Sequence, residues 1–356
     1  MSLAAEWITD EDAFESLAGE WDSLLPPDST PFDLHCWYLN WWRSFGGSLE
    51  LAVLTVRRAG DLVAAFPLGR DGRRFVALAN SHSSVFRPLA SDDEAMGELV
   101  EAAIGSQSAT SCLTGLPAHD PCLAALRSGA RKKGAIPLVE PAYTSPIVAT
   151  DGDLEAWRKQ SKPRWGAPLE RFRRKMGRDY EAEFTIVEPP TELEAELDDG
   201  FKVEASGWKG QAGTAILSTP ETETFYRAVG REFDRRGELR LSRIVLDGHI
   251  AAFDFCILHR GRLYLLKTGF DEDFRRLAPG LVMRLSIIER CFELGLDAHE
   301  LLGSDSEWKN KFATTKREHT TFHAYPRRPA SIAKYGYRAA LRPMLKRVYR
   351  RLRPAS

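Results

Sequence analysis

The segment Arg275-Arg276-Leu277-Ala278-Pro279-Gly280 has the composition of an anion-binding site, because it leads directly into a stretch with helical spacing of apolar residues. The first turn of a helix presents unpaired backbone N–H groups and the positive end of the helix dipole, and both favour anions such as phosphates. Arg275 and Arg276 add positive charge beside that position. Pro279 has no N–H and so removes one donor. A Pro-Gly helix start without a ligand is the alternative interpretation.

A second group of residues has the chemistry for proton transfer. Glu204 opens the segment EASGWKGQAGTAIL (residues 204–217), which is too rich in glycine for regular structure and which also contains Trp208 and Lys209. A carboxylate beside an indole ring would have a raised pKa, because the apolar ring removes water from the charged form, and would suit a general base. Long loops between ordered elements often carry functional residues. A salt bridge at the surface is the alternative role for Glu204.

Both groups lie in the second of two similar parts of the sequence. Leu49–Leu78 and Leu239–Leu266 each read as three short strands joined by tight turns that contain glycine, which predicts an antiparallel meander. The sequence VAAF at residues 63–66 of the first aligns with IAAF at residues 250–253 of the second. Chance resemblance between two hairpins is the alternative, but the order of elements after each meander agrees as well.

After each meander the sequence predicts a loop, a helix and a strand. In the first part these are residues 81–91, 92–104 and 111–115, and in the second part they are residues 268–279, 280–294 and 300–302. A further helix is expected near residues 122–127, another over 307–312 and a last strand over 318–325. Between the two parts the sequence predicts a basic helix over residues 168–176 that ends at Gly177, a strand over 184–187, and a helix from residue 191 that begins with a capping box of Thr191 and Glu194.

Length and composition indicate a two-domain cytoplasmic protein. The chain has 356 residues, of which 43% are hydrophobic and 28% charged, and globular domains have about 150 residues each. It has no run of 18 apolar residues, its N-terminus lacks the pattern of a secretory signal, and its five cysteines form no CxxC motif. We therefore expect domains at residues 1–155 and 156–326, a tail over residues 327–356, and free thiols in a reducing compartment.

The tail is strongly basic and has amphipathic spacing. Residues 334–353 contain eight Lys and Arg residues and no acidic residue, whereas the whole chain has a net charge of -1. Leu341, Leu345, Val348 and Leu352 fall on one face of a helix. A helix of this kind can lie on an anionic membrane, so peripheral contact with the inner membrane face is one expectation. A solvated terminal helix or a disordered tail is the alternative, and we expect no specific nucleic acid as a partner.

Five segments of the second part carry a resemblance to a known family. They are EASGWKG (residues 204–210), the strand pair that ends with LDG (246–248), YLLKTGFD (264–271), APG (278–280) and GSDSEWK (303–309). Together with the order of elements, they resemble the bacterial CelD-like acetyltransferases of exopolysaccharide and cellulose operons. These are members of the GNAT superfamily and relatives of the Fem-type peptidoglycan aminoacyl transferases. The resemblance covers about residues 5–325, and it implies an α/β fold with a mixed (α+β) sheet and two tandem GNAT-like units in a Fem-like arrangement.

The resemblance implies acyl transfer, in which an amine or hydroxyl attacks a thioester while a base takes its proton. The family pattern for the coenzyme A pyrophosphate is Arg or Gln, two residues, Gly, one residue, then Gly or Ala. Arg275 and Gly280 fit this pattern, but Ala278 departs from it and Pro279 is inserted, which leaves open whether the donor is acyl-CoA or another acyl carrier. The residues that would hold acetyl-CoA are Arg275, Arg276, Ala278, Gly280 and Leu281. The first part has no glycine in its loop at residues 81–91, so we expect it to bind no cofactor.

The same resemblance assigns the remaining site residues. The candidate catalytic residues are Glu204, Lys267, Asp271 and Asp305, and the candidate substrate-binding residues are Trp208, Lys209, Lys309 and Arg174. A buried pair of Lys267 with Asp271 is an alternative for both, and a helix N-cap is the alternative for Asp305. We expect no metal, because His319 and His323 merely share one face of a strand and no cysteine lies nearby.

Three functions follow from these features. The first is an acyltransferase that moves an acyl group from acyl-CoA to an amine or hydroxyl of a small precursor of the cell envelope or of an exopolysaccharide, where the basic residues 171–178 would hold a phosphate on that precursor. The second is a Fem-like transferase that uses aminoacyl-tRNA. The third is a non-catalytic double-GNAT binding protein.

Overall fold

The computed structural model describes residues 2–342 and 344, apart from residues 73, 106–110, 162–164, 208, 209 and 211. The strands in these residues are β1 (Leu3–Ile8), β2 (Glu50–Leu51), β3 (Val53–Arg58), β4 (Asp61–Phe66), β5 (Leu68–Asp71), β6 (Arg74–Ala77), β7 (Leu89–Ala90), β8 (Ser111–Pro117), β9 (Ile136–Ala149), β10 (Ala182–Glu188), β11 (Leu239–Leu246), β12 (His249–His259), β13 (Arg262–Phe270), β14 (Ala298–Glu300) and β15 (Thr315–Tyr325). The α-helices are α1 (Glu11–Ser16), α2 (Ala18–Ser23), α3 (His35–Phe45), α4 (Asp93–Gly105), α5 (Cys122–Lys132), α6 (Leu154–Ser161), α7 (Gly166–Asp179), α8 (Leu193–Ser206), α9 (Pro220–Arg235), α10 (Pro279–Glu293), α11 (Glu307–Asn310) and α12 (Pro329–Gly336). None of the helices in this part of the chain is long and apolar enough to cross a bilayer.

The described strands form two sheets. A four-stranded antiparallel sheet has the order β1-β3-β4-β7, and an eleven-stranded sheet has the order β10-β11-β12-β13-β14-β9-β15-β8-β6-β5-β2. The large sheet is mixed, because β13 pairs with β14 in parallel and β6 pairs with β8 in parallel, while its other neighbours are antiparallel.

The two parts of the chain exchange strands in the middle of the large sheet. β9, from the first part, lies between β14 and β15 of the second part, and β15 lies between β9 and β8. The pairing of β15 with β9 is long, running from Thr315 opposite Ile147 to Tyr325 opposite Ile136. Apolar packing also crosses between the parts, since Trp37 of α3 meets Phe225 of α9 edge to face at 5.2 Å between ring centroids. The two parts therefore share one sheet and one core.

The second predicted meander is confirmed, and the first is corrected. β11, β12 and β13 pair consecutively as antiparallel neighbours. In the first part, β3 and β4 belong to the small sheet, whereas β5 and β6 belong to the large one. Pro67 stands between β4 and β5 and has no N–H with which to continue a ladder. The chain leaves one sheet at this proline and enters the other.

Two predicted helix boundaries also differ in the structure. Gly177 does not end the basic helix, because α7 continues to Asp179 with Met176 fully buried beneath it. The predicted capping box is not formed, because the N-cap of α8 is Glu192 and it makes no side-chain cap hydrogen bond. Glu196, not Glu194, accepts a hydrogen bond from the backbone N–H of Thr191 at 2.9 Å. Glu194 is engaged elsewhere, because it accepts from Arg231 of α9 at 2.6 Å. A local sequence pattern does not predict this contact, because Arg231 lies on another helix.

Candidate active site

A cavity of about 920 Å³ opens where two parallel strands diverge. β13 and β14 pair only through residues 262–264 and 298–300. Beyond this point both chains continue without pairing to each other, and residues 265–270 and 301–306 line opposite sides of the cavity. The unpaired backbone edges that result face the cavity and are suited to hold an extended ligand.

The amino end of α10 closes one side of this cavity. Ala278, Pro279, Gly280 and Leu281 line it, and no side chain of the described residues caps the helix start. Ala278 has φ 48° and ψ 50°, which is the left-handed conformation that glycine adopts most readily. The family pattern has a glycine at this position, and Ala278 keeps the backbone conformation that such a glycine would adopt. The start of α4, by contrast, is capped by the Asp92 carboxylate, which accepts from Ala95 N at 2.9 Å.

A buried charge cluster fixes α10 to the sheet. Arg284 is 1% exposed, pairs with the carboxylate of Asp254 on β12, and donates from Nη1 to His299 Nε2 at 2.6 Å. His299 donates from Nδ1 to the carbonyl of Leu263 at 3.0 Å. Burial, and then the charge of Arg284, lower the pKa of His299, which keeps the imidazole neutral and able to accept. Arg284 also lines the cavity.

The helical spacing of apolar residues over 280–294 does not predict that Arg284 is buried. The available signal was Asp254, an acid in the middle of the apolar strand sequence AAFDFCI at residues 251–257. A charge at such a position requires a buried partner of opposite sign.

Glu204 and Lys267 form the polar end of the cavity. Glu204 is 1% exposed, and its Oε2 accepts from the backbone N–H of Ile216 at 2.8 Å. Its Oε1 lies 4.0 Å from Lys267 Nζ, and that Nζ lies 4.9 Å from the ring centroid of Tyr226. Glu204 is therefore buried, so the alternative of a surface salt bridge is wrong. Lys267 pairs with Glu204, and Asp271 instead accepts from its neighbour Asp273 N at 3.0 Å.

The first part of the chain contributes His82 to the same end of the cavity. Its Nδ1 lies 3.2 Å from the hydroxyl of Tyr226, and its ring stacks on Phe45 with centroids 5.5 Å apart. Burial, and then the charge of Lys267, lower the pKa of His82 to about 4, so the imidazole is neutral at pH 7. The sequence predicts that this loop binds no cofactor, and it does not mark His82 as a site residue. No local pattern marks it, because the pairing of the two parts brings it to the cavity.

The predicted site residues fall into three groups. Glu204, Lys267, Asp305, Arg275, Ala278, Gly280, Leu281 and Lys309 line the cavity. Asp271, Arg276 and Arg174 are not among the residues that line it; Arg174 lies on the exposed face of α7, where its Nε donates to the carbonyl of Glu170 at 3.4 Å. Trp208 and Lys209 lie outside the described residues.

Asp305 and Lys309 shape the far wall of the cavity. Asp305 accepts from Lys316 Nζ at 2.8 Å, and this hydrogen bond lowers the pKa of its carboxyl. Ser306, not Asp305, is the N-cap of α11, so the alternative role for Asp305 is wrong. Lys309 donates from Nζ to the carbonyls of Leu302 at 2.5 Å and Ser304 at 3.3 Å. It thereby holds the chain where it turns away from β14.

The described residues contain no group of three His, Cys, Asp or Glu side chains that could hold a metal ion. His319 and His323 have protein partners instead. His319 Nε2 lies 3.0 Å from the hydroxyl of Ser145, and His323 Nε2 accepts from Arg338 Nη1 at 2.8 Å.

Part of the chain matches a known protein family. Residues 167–310 match the acetyltransferase (GNAT) domain family. No curated protein matches the chain. The C-terminal domain of a putative lysylphosphatidylglycerol synthetase from Agrobacterium fabrum is 15% identical, with a TM-score of 0.55 over 90% of this chain and 94% of that one. L-PGS from Bacillus licheniformis is 13% identical, with a TM-score of 0.56 over 91% and 95% of the two chains. FemX is 9% identical, with a TM-score of 0.55 over 91% and 97%.

At these identities the structural likeness concerns the fold alone. It confirms the predicted fold class, a mixed α/β sheet with two GNAT-like units in a Fem-like arrangement. The CelD-like resemblance within the superfamily stays a prediction. The matched residues contain β13, β14, the start of α10 and Glu204. Residues 167–310, which supply most of the cavity lining, thus match a GNAT acetyltransferase domain, and this match supports a transferase activity.

Proposed function

We propose that this protein transfers an acyl group from acyl-CoA to an amine or hydroxyl group of a small precursor of the cell envelope or of an exopolysaccharide. The observation that carries the proposal is the cavity between the diverging strands β13 and β14, which is closed by a helix start that none of the described side chains caps. Its volume of about 920 Å³ lies at the upper end of the range for small-molecule sites.

The donor would lie along the α10 side of the cavity. The helix start offers backbone N–H groups and a positive dipole to the pyrophosphate. Arg275 stands at the rim with its side chain 79% exposed, where only Glu272 at 3.8 Å pairs with it among the residues that the structure describes. It is free to turn towards a phosphate. The acyl thioester would then extend between the unpaired edges at residues 265–270 and 301–303.

The acceptor would react beside Glu204. Its amine or hydroxyl attacks the thioester carbonyl, and Glu204 takes the proton that this group loses. The C–S bond then breaks, and the proton passes from Glu204 to the departing thiolate of coenzyme A. The N–H of Ile216 and the ammonium of Lys267 orient the carboxylate for this step. His82 is a second candidate base, because its imidazole is neutral at pH 7 and lines the same cavity.

Aminoacyl transfer from aminoacyl-tRNA is the second candidate function. Pro279 favours it, because the missing N–H weakens the cradle for a pyrophosphate. The similar fold of FemX is compatible with it. One structure of this fold is named for a putative lysylphosphatidylglycerol synthetase, which supports a cell-envelope acceptor for either candidate.

Calorimetry with acetyl-CoA tests the proposal, and two adjacent arginines provide a matched pair. Arg275 lines the cavity, whereas Arg276 is exposed and does not. We expect micromolar binding of acetyl-CoA that Arg275→Glu weakens at least tenfold and that Arg276→Glu changes little. Absence of acetyl-CoA binding together with tRNA-dependent aminoacyl transfer supports the second candidate. If neither donor binds, the chain acts as a binding protein and both transfer functions are wrong.

A further inference from the structure

The described part of the chain ends in a helix that presents an apolar face to solvent. α12 continues through a π-helical turn at Tyr337–Leu341. Tyr337, Leu341 and Met344 are 51%, 44% and 55% exposed, and their spacing of four and three residues puts them on one side of the helix. Ile332 is a further exposed apolar residue in α12, at 47%. The other large apolar side chains that are exposed in the described residues, Phe184, Leu217 and Leu294, are scattered.

The opposite side of this helix is anchored to the large sheet. Tyr335 packs against Tyr325 of β15 with ring centroids 5.8 Å apart. Arg338 donates to Glu140 of β9 at 3.0 Å, and Arg342 lies 3.6 Å from the same carboxylate. These contacts fix the rotation of the helix about its axis. The outward apolar face is therefore a property of the fold and not of a loose terminus.

The sequence that carries this face is rich in positive charge. Between Arg327 and Arg353 the sequence has ten Lys and Arg residues and no Asp or Glu, although the whole chain has a net charge of -1. Arg327, Arg328 and Lys334 are exposed. A surface that is apolar at its centre and cationic around it is complementary to a bilayer with anionic headgroups, where apolar side chains enter the acyl boundary and basic side chains meet the phosphates.

We propose that Tyr337, Leu341 and Met344, flanked by these basic residues, dock the protein on an anionic lipid surface. A second copy of the chain is a poor occupant, because docking two such faces would bring two sets of basic residues together. A nucleic acid would match the charge but would leave three apolar side chains without a partner. Docking would place an enzyme that modifies a cell-envelope precursor next to its membrane.

Vesicle sedimentation with the full-length chain tests this proposal without any need for enzymatic activity. Vesicles of phosphatidylglycerol mixed with phosphatidylcholine are compared with vesicles of phosphatidylcholine alone at about 0.1 M salt, where charge is screened beyond about 10 Å. We expect binding to the anionic vesicles that falls at least tenfold in the variant Y337S/L341S/M344S. The matched control is F184S/L217S/L294S, which removes three exposed apolar side chains elsewhere and should bind like the wild type. Circular dichroism confirms that both variants fold.

A second variant tests the charge separately. R327E/R328E should lose the preference for anionic over neutral vesicles while the chain remains folded, because both side chains are exposed. Equal binding of the wild type and Y337S/L341S/M344S to anionic vesicles would overturn the proposal. So would a dimer in analytical ultracentrifugation that this variant dissociates, since the occupant of the face would then be a second copy.

Discussion

The carboxylate of Glu204 and the ammonium of Lys267 lie 4.0 Å apart inside the cavity, although they belong to α8 and β13. Gly269 makes this approach possible, because a methyl group at that position would overlap the Cα of Glu204. The sequence YLLKTG at residues 264–269 thus supplies both the cation and the space in which the carboxylate fits. Placing the two charges side by side offsets part of the desolvation cost of the buried carboxylate.

We expect Glu204→Gln to lower the turnover number by a factor of about 100 to 10,000, the range for loss of a general base, and to leave the dissociation constant of acetyl-CoA unchanged. Release of coenzyme A, followed with a thiol reagent, measures turnover, and calorimetry measures donor binding. The control is Glu183→Gln, which changes an exposed glutamate on β10. If Glu204→Gln keeps full turnover and His82→Gln loses it, the base is His82.

We expect Gly269→Ala to destabilise the protein by about 1–3 kcal/mol, because the added methyl cannot be accommodated without moving α8. The same change at Gly177, in α7, meets no atom within 4 Å, and it should stabilise the protein by about 0.5–1 kcal/mol because alanine favours the helix. Urea unfolding of both variants measures these free energies. Equal effects at the two positions would show that Gly269 is not a point of close packing.

The second part of the chain was the more predictable, and local patterns explain why. Residues 239–266 are rich in apolar side chains with Gly248 and Gly261 at the turns, so the three strands follow from the sequence. The Pro-Gly pair at residues 279–280 marks the start of α10 correctly. Eight of the predicted site residues line one cavity, because the strand ends and the helix start that carry them converge at one edge of the sheet.

The features of the site that the sequence did not predict depend on contacts between residues distant in sequence. The helical spacing of apolar residues in α10 predicts that Arg284 is exposed. In the structure, Asp254 on β12 is its buried partner of opposite charge, and His299 on β14 accepts its hydrogen bond. His82 reaches the cavity only because the two parts share a core. The first meander is a different case, since Pro67 was visible in the sequence as a break in a strand pattern.

We expect Arg284→Met to destabilise the protein by about 3–5 kcal/mol, because it leaves the Asp254 carboxylate buried without its cation. The double variant Arg284→Met/Asp254→Leu should recover a large part of this loss, since an apolar pair of similar volume has no charge to desolvate. A double-mutant cycle from urea unfolding measures the coupling. Additive free energies in the two single variants and the double variant would show that the two charges do not interact.

Stability should fall in mild acid because four histidines are held neutral by the fold. The pKa values of His35 and His299 are lowered by burial, and those of His82 and His319 are lowered to about 4, also chiefly by burial. Between this value and the unfolded pKa of about 6.5, the unfolded chain binds more protons than the folded chain. The contribution of these histidines to the free energy of unfolding is therefore fully present above about pH 6.5, and it decreases as the pH falls towards 4.

His319 allows this expectation to be measured at one residue. It is 2% exposed, its ring stacks on Tyr143 at 4.4 Å between centroids, and burial lowers its pKa to about 4. A lowering from about 6.5 to about 4 corresponds to about 3 kcal/mol. We expect the free energy of unfolding of His319→Gln to decline less between pH 7 and pH 4.5 than that of the wild type, while His249→Gln, at an exposed position, declines equally. Parallel curves for all three proteins would show that burial of His319 does not contribute to the acid sensitivity.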